Sequence, residues 1–177
     1  MRICPSAMVS LLALPPALSA LAERSPDYRF AYEQGIKAQE EFGLSGLYDN
    51  GRQAFLDGEV SWRDDSIKAV LLSAAYQVAL EADRFLSDIP LSARVAISPP
   101  LSGKTSRIGV ADADDTVIPG FMGPPVTSLA LFADRGSDGS SRLLVHLDSG
   151  LGIPLVPNGA AVTIAWSEEP DVKIFRL

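Results

Sequence analysis

Three carboxylates fall within four residues at Asp112-Ala-Asp-Asp115, a density of oxygen ligands that invites calcium. An EF-hand loop places ligands at alternate positions, with a glycine sixth and a bidentate glutamate twelfth. Counted from Asp112 the sixth residue is Val117 and the twelfth Gly123, so Asp112, Asp114 and Asp115 read as a solvated turn. Calcium shared with a neighbouring chain stays open, because that chain can supply the missing oxygens. Gly103-Lys-Thr105 matches the end of a phosphate loop, but the first glycine of that motif would fall on Ser98. Asp64-Asp65 and Glu168-Glu169 are paired carboxylates in turn settings, where solvation is the usual role and glycosidase chemistry the rare one. His146 is the single histidine; in Leu143-Leu-Val-His-Leu147 it stands opposite Val145 and Leu147, which directs it outward on a strand. With one histidine and one cysteine, Cys4, neither a zinc site nor a Cys/His nucleophile pair can be built. No serine lies in a G-x-S-x-G setting. The sequence therefore assigns no catalytic, cofactor-binding or metal-ligating residue.

The elements that would position these groups are mostly strands. Val126–Ala133 and Arg142–Leu147 are apolar runs separated by the turn-rich Asp134–Ser140. Ala161–Trp166 follows Pro157-Asn-Gly159, and Lys173–Leu177 alternates polar and apolar like a half-buried strand. Ile67–Ser73, apolar at nearly every position, reads as a central strand. Glu59–Trp62 reads as a short strand, Ala93–Ile97 as a strand stopped by Pro99-Pro100, and Lys104–Val110 as an edge strand. Thr116–Ile118 continues the sheet, and Ala74–Asp83 reads as helical by propensity or as a loop. Trp62 and Trp166 end strand-like runs, where a ring closes the core and its N–H reaches a partner. Pro26–Phe42, with Ser25 as N-cap, reads as a helix that projects or packs only at the periphery, and Leu47–Leu56 as a second short one ended by Gly58. Seven to nine strands at intervals of about ten residues are the spacing of a sandwich. The fold class is thus mainly β: an antiparallel β-sandwich over 58–177, a helical region over 23–57 and an apolar segment over 1–22.

At 177 residues the chain supports one proper core. Its 47% hydrophobic and 21% charged residues exclude a disordered chain, and 14 Gly with 13 Pro favour turns over a helical bundle. A net charge of −7 argues against nucleic acid as a direct partner. Cys4 has no second cysteine for an intrachain disulfide, which leaves the redox compartment open.

Three ordered stretches carry a resemblance. They are Tyr48–Val60 leading through Trp62 into Asp65–Leu72; Phe85–Pro90 with Leu101–Thr105 and Gly109–Asp115; and the hairpin series from Leu129 to Leu177. From about Leu47 onward the chain resembles a family of small virion structural proteins of tailed bacteriophages; residues 1–46 depart from it. The resemblance implies a non-enzymatic subunit: a capsid decoration, neck or tail-associated protein that binds other virion proteins and copies of itself. It implies no cofactor and no membrane partner, with assembly in the host cytoplasm.

Residues 3–22 carry no charge, Ala20-Leu-Ala22 has an A-x-A form, and a single Arg2 precedes them, as in a secretory signal. Pro15-Pro16 interrupts the run, which is marginal in length for a membrane span. The longer match favours an uncleaved arm reaching a neighbour. The alternative is a secreted or periplasmic β-sandwich that binds a ligand or carbohydrate, with residues 1–22 removed.

Overall fold

The structure, a computed structural model, describes residues 45–149, 152–168 and 173–177. The readings for Cys4, the 1–22 segment, the Pro26–Phe42 helix and Glu169 lie outside the described residues. What is described is mainly β, with antiparallel ladders and one α-helix. In chain order the elements are β1 (Gly46–Leu47), α1 (Asp49–Leu56), β2 (Ile67–Ser73), β3 (Arg94–Ile97), β4 (Thr105–Arg107) and β5 (Val110–Asp112). They continue with β6 (Thr116–Ile118), β7 (Val126–Ala133), β8 (Arg142–Leu147), β9 (Val162–Ile164) and β10 (Phe175–Arg176).

Five strands pair in the order β1-β8-β7-β2-β3, three as β10-β5-β4, and two as β6-β9. β2, β7 and β8 cover the apolar runs read from sequence, because uninterrupted apolar stretches belong where both faces are covered. On one face, Ile67, Ala69, Leu71, Leu129 and Leu131 share a core with Leu101, Ala111, Ile118 and Ile174 from the smaller ladders and their flanks. On the other, Val70, Leu72, Ala130, Phe132 and Leu143 pack against Tyr48, Tyr76, Leu86, Ile89 and Ala93.

α1 is locked to the sheet by its glycine. A Cβ at Gly51 would stand 2.6 Å from the Leu143 carbonyl oxygen and 2.8 Å from Leu144 Cα, so no larger residue lets the helix lie this close to β8. The register of β7 against β8 shifts beside Leu131, leaving Leu144 as a bulge whose carbonyl accepts from Tyr48 N at 3.0 Å. The helix stops in a Schellman turn. Gly58 takes φ +71°, its N–H donates to Phe55 O at 3.3 Å, and Glu59 N donates to Ala54 O at 2.9 Å.

Four readings need correction. Glu59–Trp62 is no strand but leads into a turn over 62–64, where Asp65 accepts Ser61 N at 2.8 Å and Asp64 accepts Ser61 Oγ at 2.6 Å. Lys104–Val110 is two strands of a hairpin and not one strand: Arg107 pairs with Val110, and Ile108 and Gly109 form a two-residue turn with φ +50° and +77°. Thr116–Ile118 does not join a larger sheet but pairs with Val162–Ile164. Leu47 is a strand residue beside Val145, so β structure begins before the helix. Ala74–Asp83 is a loop.

Candidate functional site

The second face of the five-stranded sheet corrects the reading of His146. The residue does stand opposite Val145, but it is 3% exposed, because the loop after β2 covers that face. Its ring meets Tyr48 and Tyr76 edge-on, with centroids 6.5 and 6.0 Å away. Around it runs a hydrogen-bonded chain: Tyr48 Oη lies 2.9 Å from Tyr76 Oη, which donates to Asp83 Oδ2 at 2.6 Å. Asp83 also accepts Ala79 N at 2.9 Å and thereby pins the loop. Burial, joined by the Asp83 bond to Tyr76, holds the Tyr76 phenol above the ordinary tyrosine range; burial does the same for Tyr48. These phenols stay protonated at neutral pH, and the group clamps the loop over the sheet. Nothing in sequence tied Tyr48, Tyr76 and Asp83 together, since their partnership depends on the loop's path over the sheet.

The carboxylates of Asp112–Asp115 each serve a different neighbour. Asp112 Oδ1 accepts Ala113 N at 3.0 Å and its Oδ2 lies 3.6 Å from Lys173 Nζ. Asp114 accepts Ser102 Oγ at 3.1 Å, and Asp115 accepts Trp166 N at 3.1 Å. Among the described residues no group of three His, Cys, Asp or Glu is arranged to hold a metal ion. Gly103 takes φ +58°, and a Cβ there would strike the Asp114 carboxyl, so this glycine serves a close approach between loops. Lys104 Nζ reaches only the Leu101 carbonyl, at 3.5 Å. Asp65 pairs with Arg135 at 2.8 Å, and exposed Glu168 lies 3.5 Å from Lys173. Asp65, Asp114 and Asp115 each tie one segment to another distant in sequence.

Both tryptophans serve the core as their positions imply. Trp62 Nε1 donates to the Thr105 and Asp112 carbonyls at 2.8 and 3.1 Å, and Trp166 Nε1 donates to Asp114 O at 3.2 Å. Trp62 meets Phe175 edge-on at 5.1 Å, and Phe175 stacks at 5.6 Å on Phe55 near the end of α1.

Trp62 and Phe175 floor an open cleft of about 220 Å³ walled by Ser106, Ala111, the Ile108-Gly109 turn and Leu177. Ile108 is 76% and Leu177 57% exposed, and their segments are joined by Leu177 N donating to Gly109 O at 2.9 Å. Arg107 lines the cleft, Arg63 donates to Ser106 O at 3.1 Å, and Arg176 lies beside Gly109. Sequence reading missed this place because Arg107-Ile-Gly-Val110 was taken as continuous strand; Gly109 between a polar and an apolar run was the available signal. The cleft offers mainly apolar contact, with Arg107 at its edge. Compared with known proteins, the chain matches no protein-family model and no curated protein.

Proposed function

We propose that this chain is a structural subunit of a tailed-phage particle that works by binding other virion proteins and copies of itself, not by catalysis. The fold is read as an antiparallel β-sandwich, with the five-stranded sheet facing the β10-β5-β4 and β6-β9 ladders across a shared core. The observation that carries the reading is the cleft: large apolar side chains stand exposed at the end of a small sheet beside an aromatic floor. Residues held apart from water in most folded chains are here kept at the surface, where a partner can cover them. The ordered likeness from Leu47 onward to small virion proteins supports the same reading, and with it assembly in the host cytoplasm. Light scattering on the purified full-length chain across a concentration series tests the proposal. A mass rising to a fixed multiple of the chain supports it; a monomer at every concentration contradicts it.

A further inference from the structure

We infer that residues 74–83 form a detachable strap, and that the sheet face beneath it takes an extended partner segment with apolar side chains at alternate positions. This goes beyond the assembly reading and uses a different surface from the cleft. Tyr76, Val78 and Leu80 turn inward on the second face, while Gln77, Ala79 and Glu81 are exposed. That period of two is the pattern of a strand, yet the segment joins no ladder. Among the described residues its backbone makes one hydrogen bond outside residues 73–83, accepted by Leu80 O from Asp49 N at 2.9 Å. Anchorage resumes sharply at its end. Arg84 O accepts Leu143 N at 2.9 Å, and Leu86 and Ser87 donate to the Ser141 and Asp138 carbonyls at 2.8 and 3.1 Å.

The strap is thus held by side chains and a latch. Tyr76 Oη bonds Tyr48 Oη below it and Asp83 Oδ2 within the strap, and Asp83 closes back on Ala79 N. Leu80 lies over Gly46, where a Cβ would stand 3.2 Å from its Cδ1. The sheet keeps a core without these contacts. Its other face packs separately around Leu71, Leu129 and Leu131, and Leu86, Ile89 and Ala93 still cover part of the second face. Segments with few main-chain bonds to the body open first, below the free energy of global unfolding. Opening bares the Tyr48 and His146 rings and the apolar side chains beside them. The strap itself shows what fits there: an extended stretch with one aromatic and two aliphatic side chains, each two residues apart. A ligand of that pattern makes the open state dominant, because it binds only there.

The test has two arms, both on the full-length protein. Hydrogen exchange in sub-denaturing urea reads the amides of Asp49, Tyr76, Ala79, Ala82 and Asp83, all bonded within or to the strap. The expected result is one common opening, about a hundredfold more frequent than that of β2 and β7 amides and less dependent on urea. Scattered values, or exchange that tracks β2 and β7, overturn the strap. In the second arm a variant carries Tyr76→Ser, Val78→Ser and Leu80→Ser, and a synthetic peptide of residues 74–83 is added. The variant should stay folded and bind the peptide at least ~10-fold tighter than wild type, whose own strap competes at roughly millimolar effective concentration. A variant that unfolds, or that binds the peptide no better than wild type, overturns the inference. The assembly reading then still stands or falls on its light-scattering test.

Discussion

Replacing Tyr76 with phenylalanine should cost far more than the same change at Tyr48, although the two hydroxyls touch. Tyr76 Oη stands in the middle of the chain, 2.9 Å from Tyr48 Oη and 2.6 Å from Asp83 Oδ2. Its loss removes a bond to a charged acceptor, worth about 1.5–3 kcal/mol, and strands the fully buried Tyr48 hydroxyl, worth about 1–3 kcal/mol. Asp83 keeps Ala79 N and so adds little. The sum for Tyr76→Phe is about 3 kcal/mol or somewhat more. Tyr48→Phe removes only the end of the chain and leaves Tyr76 on its charged acceptor, for about 1 kcal/mol. The double variant has no stranded hydroxyl, so it should be no less stable than Tyr76→Phe alone, a non-additivity that independent effects cannot produce. Urea unfolding followed by the fluorescence of Trp62 and Trp166 measures all three. At this size the loss in Tyr76→Phe corresponds to a fall in Tm of roughly 6–12 °C. Equal costs for the two single variants, or additive costs in the double, would refute the argument that Tyr76 bridges Tyr48 to Asp83.

Gly51→Ala should destabilise by about 1–3 kcal/mol in the same assay: the gain in helix propensity, about 1 kcal/mol, is outweighed because the new Cβ meets strand backbone that cannot move aside. Asp134 is held below the usual carboxylate range, first by its bond to Lys68 at 2.6 Å and then by Gly136 N. Its contribution is therefore fully present above the ordinary carboxyl pKa near ~4 and is lost as pH falls through the lower folded value. Asp134→Asn should lower stability by about 0.5–1 kcal/mol at pH 7 and not at all at the acid end of a pH series of urea melts. Tyr48 and Tyr76, raised above the ordinary tyrosine range, should stay un-ionised in absorbance titrations until alkaline unfolding; their stabilising share is whole below about pH 10 and is lost above it.

The long strands were legible because their signal is local. Ile67–Ser73, Val126–Ala133 and Arg142–Leu147 are apolar runs closed by turn residues, and each became a strand with those bounds. Gly58 likewise announced the end of α1. What sequence did not carry was which face would be covered. His146 alternates with Val145 as expected, yet points into a second core closed by the Ala74–Asp83 loop, a segment whose sequence left helix and loop both open. The hairpin was missed because an isoleucine occupies a position where a turn ordinarily has asparagine, and that same residue gives the cleft its exposed tip. The carboxylates that looked like candidate ligands proved to be ties: Asp65 accepts Ser61 N, Asp114 accepts Ser102 Oγ and Asp115 accepts Trp166 N, partners that depend on the chain's path more than on spacing.

The measurement closest to the central claim is native mass spectrometry of the full-length protein, which reads intact mass and copy number together. The account predicts an uncleaved chain in one defined oligomer, such as a closed ring. A monomer that begins at Glu23 would contradict it and favour an exported binding protein instead.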